Sequence, residues 1–362
     1  MVTKTFTVPD YYTDFACKRG ECRHTCCCGW GVSLSMSEYF RLLGLNCSKK
    51  LRKKLDVSFY IAENPHPQRY AVFKKTGEGD CPLRQKDGLC GLHKECGEEV
   101  LPGICRYYPR APRGGYAFEC SCSGSCEKVI ELLMARKDKI GLKEVTLTFD
   151  LSTVPPLISD ENTREIYKKT RIDCLSIIQD RDYPLPVRIR RIGEYLKSLG
   201  GGPAPDESGR DFAKEFETAK AAFMRIEESS VSLGGYAAVV EDVFADINAY
   251  PEVKARFEAL FPDWEIMLEN LMVNHIFYEK FPFSDYYSNF SEAFYSLCGA
   301  YTFLRYMGMG YTYRYPSTDA LADVWASALR VIEHSGFDRN IAYLFKRGGV
   351  NSFASLAALL NI

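Results

Sequence analysis

Five cysteines crowd into "CKRGECRHTCCC", residues 17–28, and three of them are consecutive. No apolar core needs such a row. A thiolate is a soft metal ligand, and several brought together suit zinc or an iron–sulfur cluster. The other cysteines extend the pattern. "CPLRQKDGLCGLHKECGEEVLPGICRYYPR" holds Cys81, Cys90, Cys96 and Cys105, and "FECSCSGSC" holds Cys120, Cys122 and Cys126. With Cys47 these make 13 of the 15 cysteines before residue 127, leaving Cys174 and Cys298 beyond it. A secreted disulfide scaffold is small, signal-bearing and usually even in cysteine count. This chain is long and odd in count, and "MVTKTFTVPDYYTDF" has no apolar leader segment. The expected compartment is the cytoplasm, where thiols stay reduced and clustered cysteines bind metal or do redox chemistry.

Spacing narrows the choice. A zinc finger shows paired C-x₂-C units at a fixed interval, and no such pair of pairs occurs. The C-x₃-C-x₂-C triplet of radical chemistry is nearly present. Cys22 and Cys26 have the first spacing, but the third place falls on Gly29, which argues against it. Neighbouring side chains of an extended segment point to opposite faces. At least one of Cys26, Cys27 and Cys28 therefore faces away from any shared centre. His24 and His93 lie inside cysteine segments and are possible ligands. His66, His275 and His334 have no ligand-like spacing and read as polar or packing residues. The aromatics Trp30, Tyr107, Tyr108 and Phe118 between the cysteines could exclude water from a cluster.

These loops must be carried by something. Residues 1–150 are turn-rich, with "ENPHPQRY", "KKTGEGD" and "APRGGY", so helices there should be short. "SMSEYFRLLGL" has a Ser cap and apolar residues at helical spacing, which predicts a helix. "KKLRKKL" reads as a solvated helical face. "RYAVFKK" and "YAFECSC" predict short strands, and "SCEKVIELLMARKD" a helix. "LSTVPPLISD" reads as a linker. After it, apolar residues recur every three to four positions in "TREIYKKTRIDCLSIIQD", "PVRIRRIGEYLKSLG" and later segments. "LGGGPAPDESG" is a flexible excursion with no strand leading into it, so it is no dinucleotide fingerprint. The expected fold is mainly α. An irregular cysteine-rich metal-binding domain with little β, residues 1–150, precedes an all-α domain, residues 151–362.

Composition excludes some partners. The 46 basic and 47 acidic residues nearly cancel, so no global charge favours nucleic acid or an anionic membrane. No apolar run reaches the length of a membrane span.

In combination, "CRHTCCCGW", "CPLRQKDGLC", "GEEVLPGICRYYPR" and "FECSCSGSCEKVIELL" resemble the bacterial flagellin lysine-N-methylase family, a branch of a cysteine-rich zinc- or iron-chelating group. "LENLMVNHIFYEKFPF" and "AYTFLRYM" are similar to its helical region, so the resemblance spans most of the chain. It implies a methyltransferase with S-adenosylmethionine as donor, a [4Fe-4S] cluster, and surface lysines of flagellin as acceptors. It also maps the family's cysteines onto Cys17, Cys22, Cys26, Cys27, Cys81, Cys90, Cys105 and Cys126. One cluster uses four thiolates, so eight candidates mean two centres or a partly structural set. The alternative is a non-catalytic interaction module stapled by zinc or a cluster.

Lysine methylation needs the neutral amine. At an unperturbed pKa of about 10.4, deprotonation at pH 7 costs roughly 4.6 kcal/mol. Candidate bases or donor-pocket walls are Asp80, Glu98, Glu99, Tyr107, Tyr108, Asp285, Tyr286 and Tyr287, each of which also reads as a surface carboxylate or core tyrosine. The sequence singles out no catalytic residue and no donor-binding residue.

Overall fold

The computed structural model describes residues 2–29, 31–149, 154–200, 212–228 and 233–362. Trp30, most of the glycine-rich excursion and the start of the expected linker lie outside them. Along the chain run β1 (Val2–Pro9), β2 (Ser33–Leu34), α1 (Met36–Leu43), α2 (Lys49–Val57), β3 (Phe59–His66) and β4 (Arg69–Phe73). Next come α3 (Gly91–Cys96), α4 (Gly103–Tyr107), β5 (Arg110–Arg113), β6 (Glu119–Cys122), α5 (Glu127–Ala135) and β7 (Leu142–Phe149). The remainder is helical: α6 (Glu161–Ile178), α7 (Leu185–Ser198), α8 (Phe212–Glu228), α9 (Gly234–Val243), α10 (Tyr250–Leu260), α11 (Trp264–Tyr278), α12 (Phe290–Arg314), α13 (Thr318–His334), α14 (Phe337–Arg347) and α15 (Phe353–Leu359). The protein is thus mainly α with little β, as expected.

The chain divides into two compact units, but not at residue 150. One unit is Ala16–Arg110, and the other joins Met1–Phe15 to Ala111–Ile362. The reason is strand pairing. β1 runs antiparallel to β7 from Val2↔Phe149 to Pro9↔Leu142, and its Thr7 pairs in parallel with Glu119 of β6. The resulting sheet has the order β5-β6-β1-β7. It ties the first residues of the chain to the helical unit and leaves the cysteine-rich segment as an insert. Alternation along "TKTFTVP" puts Phe6 and Val8 on the buried face. Phe6 meets Phe149 edge to face at 5.5 Å.

In the helical unit α12 is the central element. It is buried on every side from Ala293 to Gly310, touching α7, α9, α10, α13 and α14. A helix buried all round carries apolar residues without amphipathic bias. Close approach needs a missing Cβ at Gly308, where an added methyl would stand 2.8 Å from Trp325 Nε1. That indole N–H donates to the Leu304 carbonyl at 2.8 Å. Buried charges are paired. Arg171 binds Glu119 at 2.5 Å, and Arg181 and Arg188 both hold the fully buried Glu269. Among the described residues no helix is long and apolar enough to cross a membrane.

The inserted unit has a smaller core. Leu34, Leu42, Leu51, Leu55, Phe59, Ala71, Phe73, Leu83, Leu92 and Leu101 form one cluster. Around it lie the sheet β2-β4-β3 and the helices α1 and α2. Ser35 caps α1 in a reciprocal box with Glu38, and Ser48 caps α2. Glu38 also accepts from the Gly103 N–H at 2.6 Å, and Arg41 donates to the Leu101 carbonyl at 3.1 Å. These two bonds fix the loop leading to α4.

Candidate functional site

Three cysteine-bearing stretches meet in the inserted unit. The Cys81 N–H donates to the Cys27 carbonyl at 2.7 Å, and Cys28 bridges to Asp80. The loop 81–90 is closed by the bridge of Arg84 with Cys90 and by Gly91 N–H to the Leu83 carbonyl at 2.8 Å. It touches the first stretch at two glycines. Gly88 has φ +79°, and a Cβ there would stand 2.9 Å from the Gly20 oxygen; a Cβ on Gly20 would stand 2.9 Å from the Asp87 oxygen. Only glycine permits both the left-handed turn and the approach.

Four thiols lie within electrostatic reach of one another. Cys81 and Cys90 feel Cys27, and Cys105 feels Cys27, Cys81 and Cys90. Their environments differ. Cys27 is lowered to about 6, first by a hydrogen bond from Cys26 and then by Thr25 and the Arg84 charge. Burial pushes Cys81 up to about 11 and raises Cys90, and it raises Cys105 most of all. By surface area Cys105 is an exposed residue. Backbone N–H groups two and three residues on favour the thiolate in two cases. Leu83 and Arg84 do so for Cys81, and Leu92 and His93 for Cys90. Repeated N–H groups aimed at sulfur are how loops hold metal-bound thiolates.

The donor set fits a four-cysteine metal group in its chemistry. Four thiolates are the ligands of structural zinc and of a [4Fe-4S] cluster, and a bound cation would remove the protons that burial keeps on Cys81, Cys90 and Cys105. The protein atoms are not drawn into a closed cage. Among the described residues no three or more His, Cys, Asp or Glu side chains stand in metal-holding geometry.

The other expected ligands are placed differently. Cys26 is exposed and hydrogen-bonds Cys27. Exposed Cys17 accepts from the Arg19 N–H at 3.3 Å, and Cys22 is half-buried. Cys126 caps α5 in the helical unit. Cys28 hydrogen-bonds the Asp80 carboxylate, and with Arg84 it holds Asp80 below the usual carboxylate range. Asp80 is therefore no base near neutral pH. Cys47 and Cys96 pack on the core of the insert, near each other. His24 and His93 are exposed.

The helical unit contains an acidic pocket that spacing did not signal. The "SGS" turn, residues 123–125, lies against the end of α13. Ser123 Oγ donates to Glu333 Oε2 at 2.5 Å, and the Gly124 N–H donates to Oε1 at 3.1 Å. Ser125 Oγ is 2.8 Å and Ser123 Oγ 3.2 Å from His334 Nε2. Burial pushes Glu333 up to about 7 and His334 down to about 4. Buried Glu279 and Asp338 are likewise raised, first by burial; Glu279 is raised further by Asp338 and Glu333. Tyr287 donates to Asp338 at 3.3 Å, so this one of the expected tyrosines reaches a carboxylate. The pocket joins residues about 210 positions apart, which no local pattern reveals.

The comparisons agree with this architecture. A model of the FliB lysine N-methylase C-terminal domain matches residues 171–359, more than half of the chain, and the chain belongs to that family. The lysine-N-methylases of Salmonella choleraesuis strain SC-B67 and Salmonella typhimurium strain LT2 are each 26% identical over 176 residues. Those residues are 48% of this chain and 42% of either relative. The flagellar biosynthetic protein FliU of Salmonella muenchen is 25% identical over 142 residues, 39% of this chain and 83% of that protein. The chain thus spans less than half the length of the two methylases it matches. No solved structure matches it. The resemblance read from the sequence holds at the level of the family.

Proposed function

We propose that this chain is a protein lysine N-methyltransferase that moves a methyl group from S-adenosylmethionine to surface lysines of flagellin. Membership of the FliB family carries this reading. The names of its relatives, lysine-N-methylase and a flagellar biosynthetic protein, favour the reaction and the flagellar substrate. In the transfer, the lysine Nζ lone pair attacks the methyl carbon, the carbon–sulfur bond breaks, and the donor leaves as a neutral sulfide. The ammonium must first lose its proton. Glu333, balanced near neutral pH, is a suitable acceptor. Ser123 Oγ donates to Glu333 and lies 3.2 Å from His334 Nε2, so serine and imidazole adjoin the proposed base.

Cys27, Cys81, Cys90 and Cys105 would hold the [4Fe-4S] cluster. Bound there, it would supply a soft, redox-active group. The same four-thiol donor set favours a second reading, structural zinc stapling an interaction module.

Anaerobic purification with iron, sulfide and zinc analysis, followed by isotope-labelled methyl transfer to flagellin, separates these readings. Iron with acid-labile sulfide and labelled lysine is expected. Stoichiometric zinc, no colour after reconstitution and no labelled lysine would replace the enzyme by the module.

A further inference from the structure

The inserted unit has a cavity of about 470 Å³ that neither the thiols nor the proposed methyl transfer uses. Lys50, Lys54, Arg84 and Lys86 line it, with Glu95 as the acid. The volume suits a small molecule. α2 is the "KKLRKKL" helix, and its residues divide by task. Leu51 and Leu55 enter the core. Arg52 is spent on the Leu42 and Leu45 carbonyls. Lys50 and Lys54, one turn apart, face the cavity instead. Like charges at this spacing repel and weaken a helix. Among the described residues no carboxylate pairs with Lys50, Lys54 or Lys86. Glu95 is turned to Ser48, accepting from its N–H at 2.5 Å and its hydroxyl at 2.9 Å. Arg84 gives one Nη to Asp80 at 2.6 Å.

A concave site with four cations and a diverted acid lacks an anion. We propose that this cavity binds a small phosphorylated ligand, with the lysines as point charges and Arg84 as the directional donor. The lining leaves room for an organic group beside Leu51 and Leu83. A polynucleotide is the less suitable occupant, because the chain as a whole is nearly neutral.

The test is calorimetric titration of the full, metal-loaded protein with inorganic pyrophosphate at low salt. Saturable one-to-one binding is expected, weakened at least tenfold in K50Q/K54Q and several-fold in K86Q. These side chains make no bond to the fold, so unchanged melting curves and metal content would certify the variants. No saturation by about 1 mM pyrophosphate, or equal affinity in the parent and K50Q/K54Q, would overturn the proposal. So would oligonucleotide binding that strengthens with length and is lost in the same variants, since it assigns the charges to nucleic acid. Because the readout needs no methyl transfer, failure here leaves the proposed reaction standing, and the reverse also holds.

Discussion

The two units use cysteine in opposite ways. In the helical unit Cys120, Cys122, Cys174 and Cys298 are fully buried, and burial alone raises Cys298 far above the ordinary thiol range. Such a thiol is a small apolar side chain. In the insert the cysteines sit in turns and short helices, half-buried or exposed, and four of them lie within electrostatic reach of one another. The helical unit is held by long helices around α12. The insert has a compact core and short helices, and the proposed thiol centre would hold its loops. The same residue type serves stability through solvent exclusion in one unit and, on the proposed reading, through ligation in the other.

Removing the metal tests that contrast most severely. Structural thiolate sites contribute roughly 10 kcal/mol or more to folding. Chelation, or Cys81→Ser or Cys90→Ser, is expected to unfold the insert and empty the site, while the helical signal in circular dichroism persists to a separate, higher transition. Cys298→Ser should leave metal content unchanged and cost about 1–3 kcal/mol for a buried hydroxyl. A single shared transition in the metal-free protein would erase the distinction between the units.

Arg171→Met addresses the helical unit alone. It leaves Glu119 buried against Tyr167 without its cation. The expected loss is about 3–5 kcal/mol, confined to the higher transition, with metal content intact.

The acidic pocket gives a pH signature. Glu333 keeps its proton in the folded state up to about 7, whereas the unfolded residue ionises near the ordinary glutamate value. The folded state binds the extra proton, so this group's contribution is complete below about pH 4.5 and is lost as pH rises to 7. The difference between the stability curves of the parent and Glu333→Gln should therefore change by about 3 kcal/mol across that window. His334, lowered to about 4, acts in the opposite sense. Its contribution is complete above about pH 6.5 and falls away toward pH 4, with a smaller amplitude because the residue is exposed. Denaturant titrations from pH 4 to 8 measure both, and a flat difference curve for Glu333→Gln would remove it as a base poised near neutrality.

Ser35→Ala gives the smallest effect. It opens the capping box of α1, and about 1 kcal/mol should be lost from the lower transition only.

Local pattern made much of this legible. The Ser cap and apolar spacing of "SMSEYFRLLGL" became α1, "RYAVFKK" became β4, and the periodic segments after residue 160 became helices. β1 and β7 were missed, although "KTFTVP" and "LKEVTLTF" both alternate. A strand is secured by its partner, and here the partners are some 140 residues apart. The cysteine spacing supplied candidates but not their partition. Which thiol turns inward depends on the crossing at Gly20 and Gly88, a contact between loops that spacing does not encode. Glu333 and His334 escaped for the same reason, since the serine turn that defines them lies far away in sequence.

The place of β1 between β6 and β7 has a consequence for biosynthesis. A ribosome delivers β1 first, then the whole insert, and only afterwards the two strands that flank β1 in the sheet. A nascent chain ending near residue 115 already contains every residue of the cysteine-rich unit, while β1 waits with both edges unpaired. The inserted unit can fold on the growing chain before the helical unit has the residues to close its sheet.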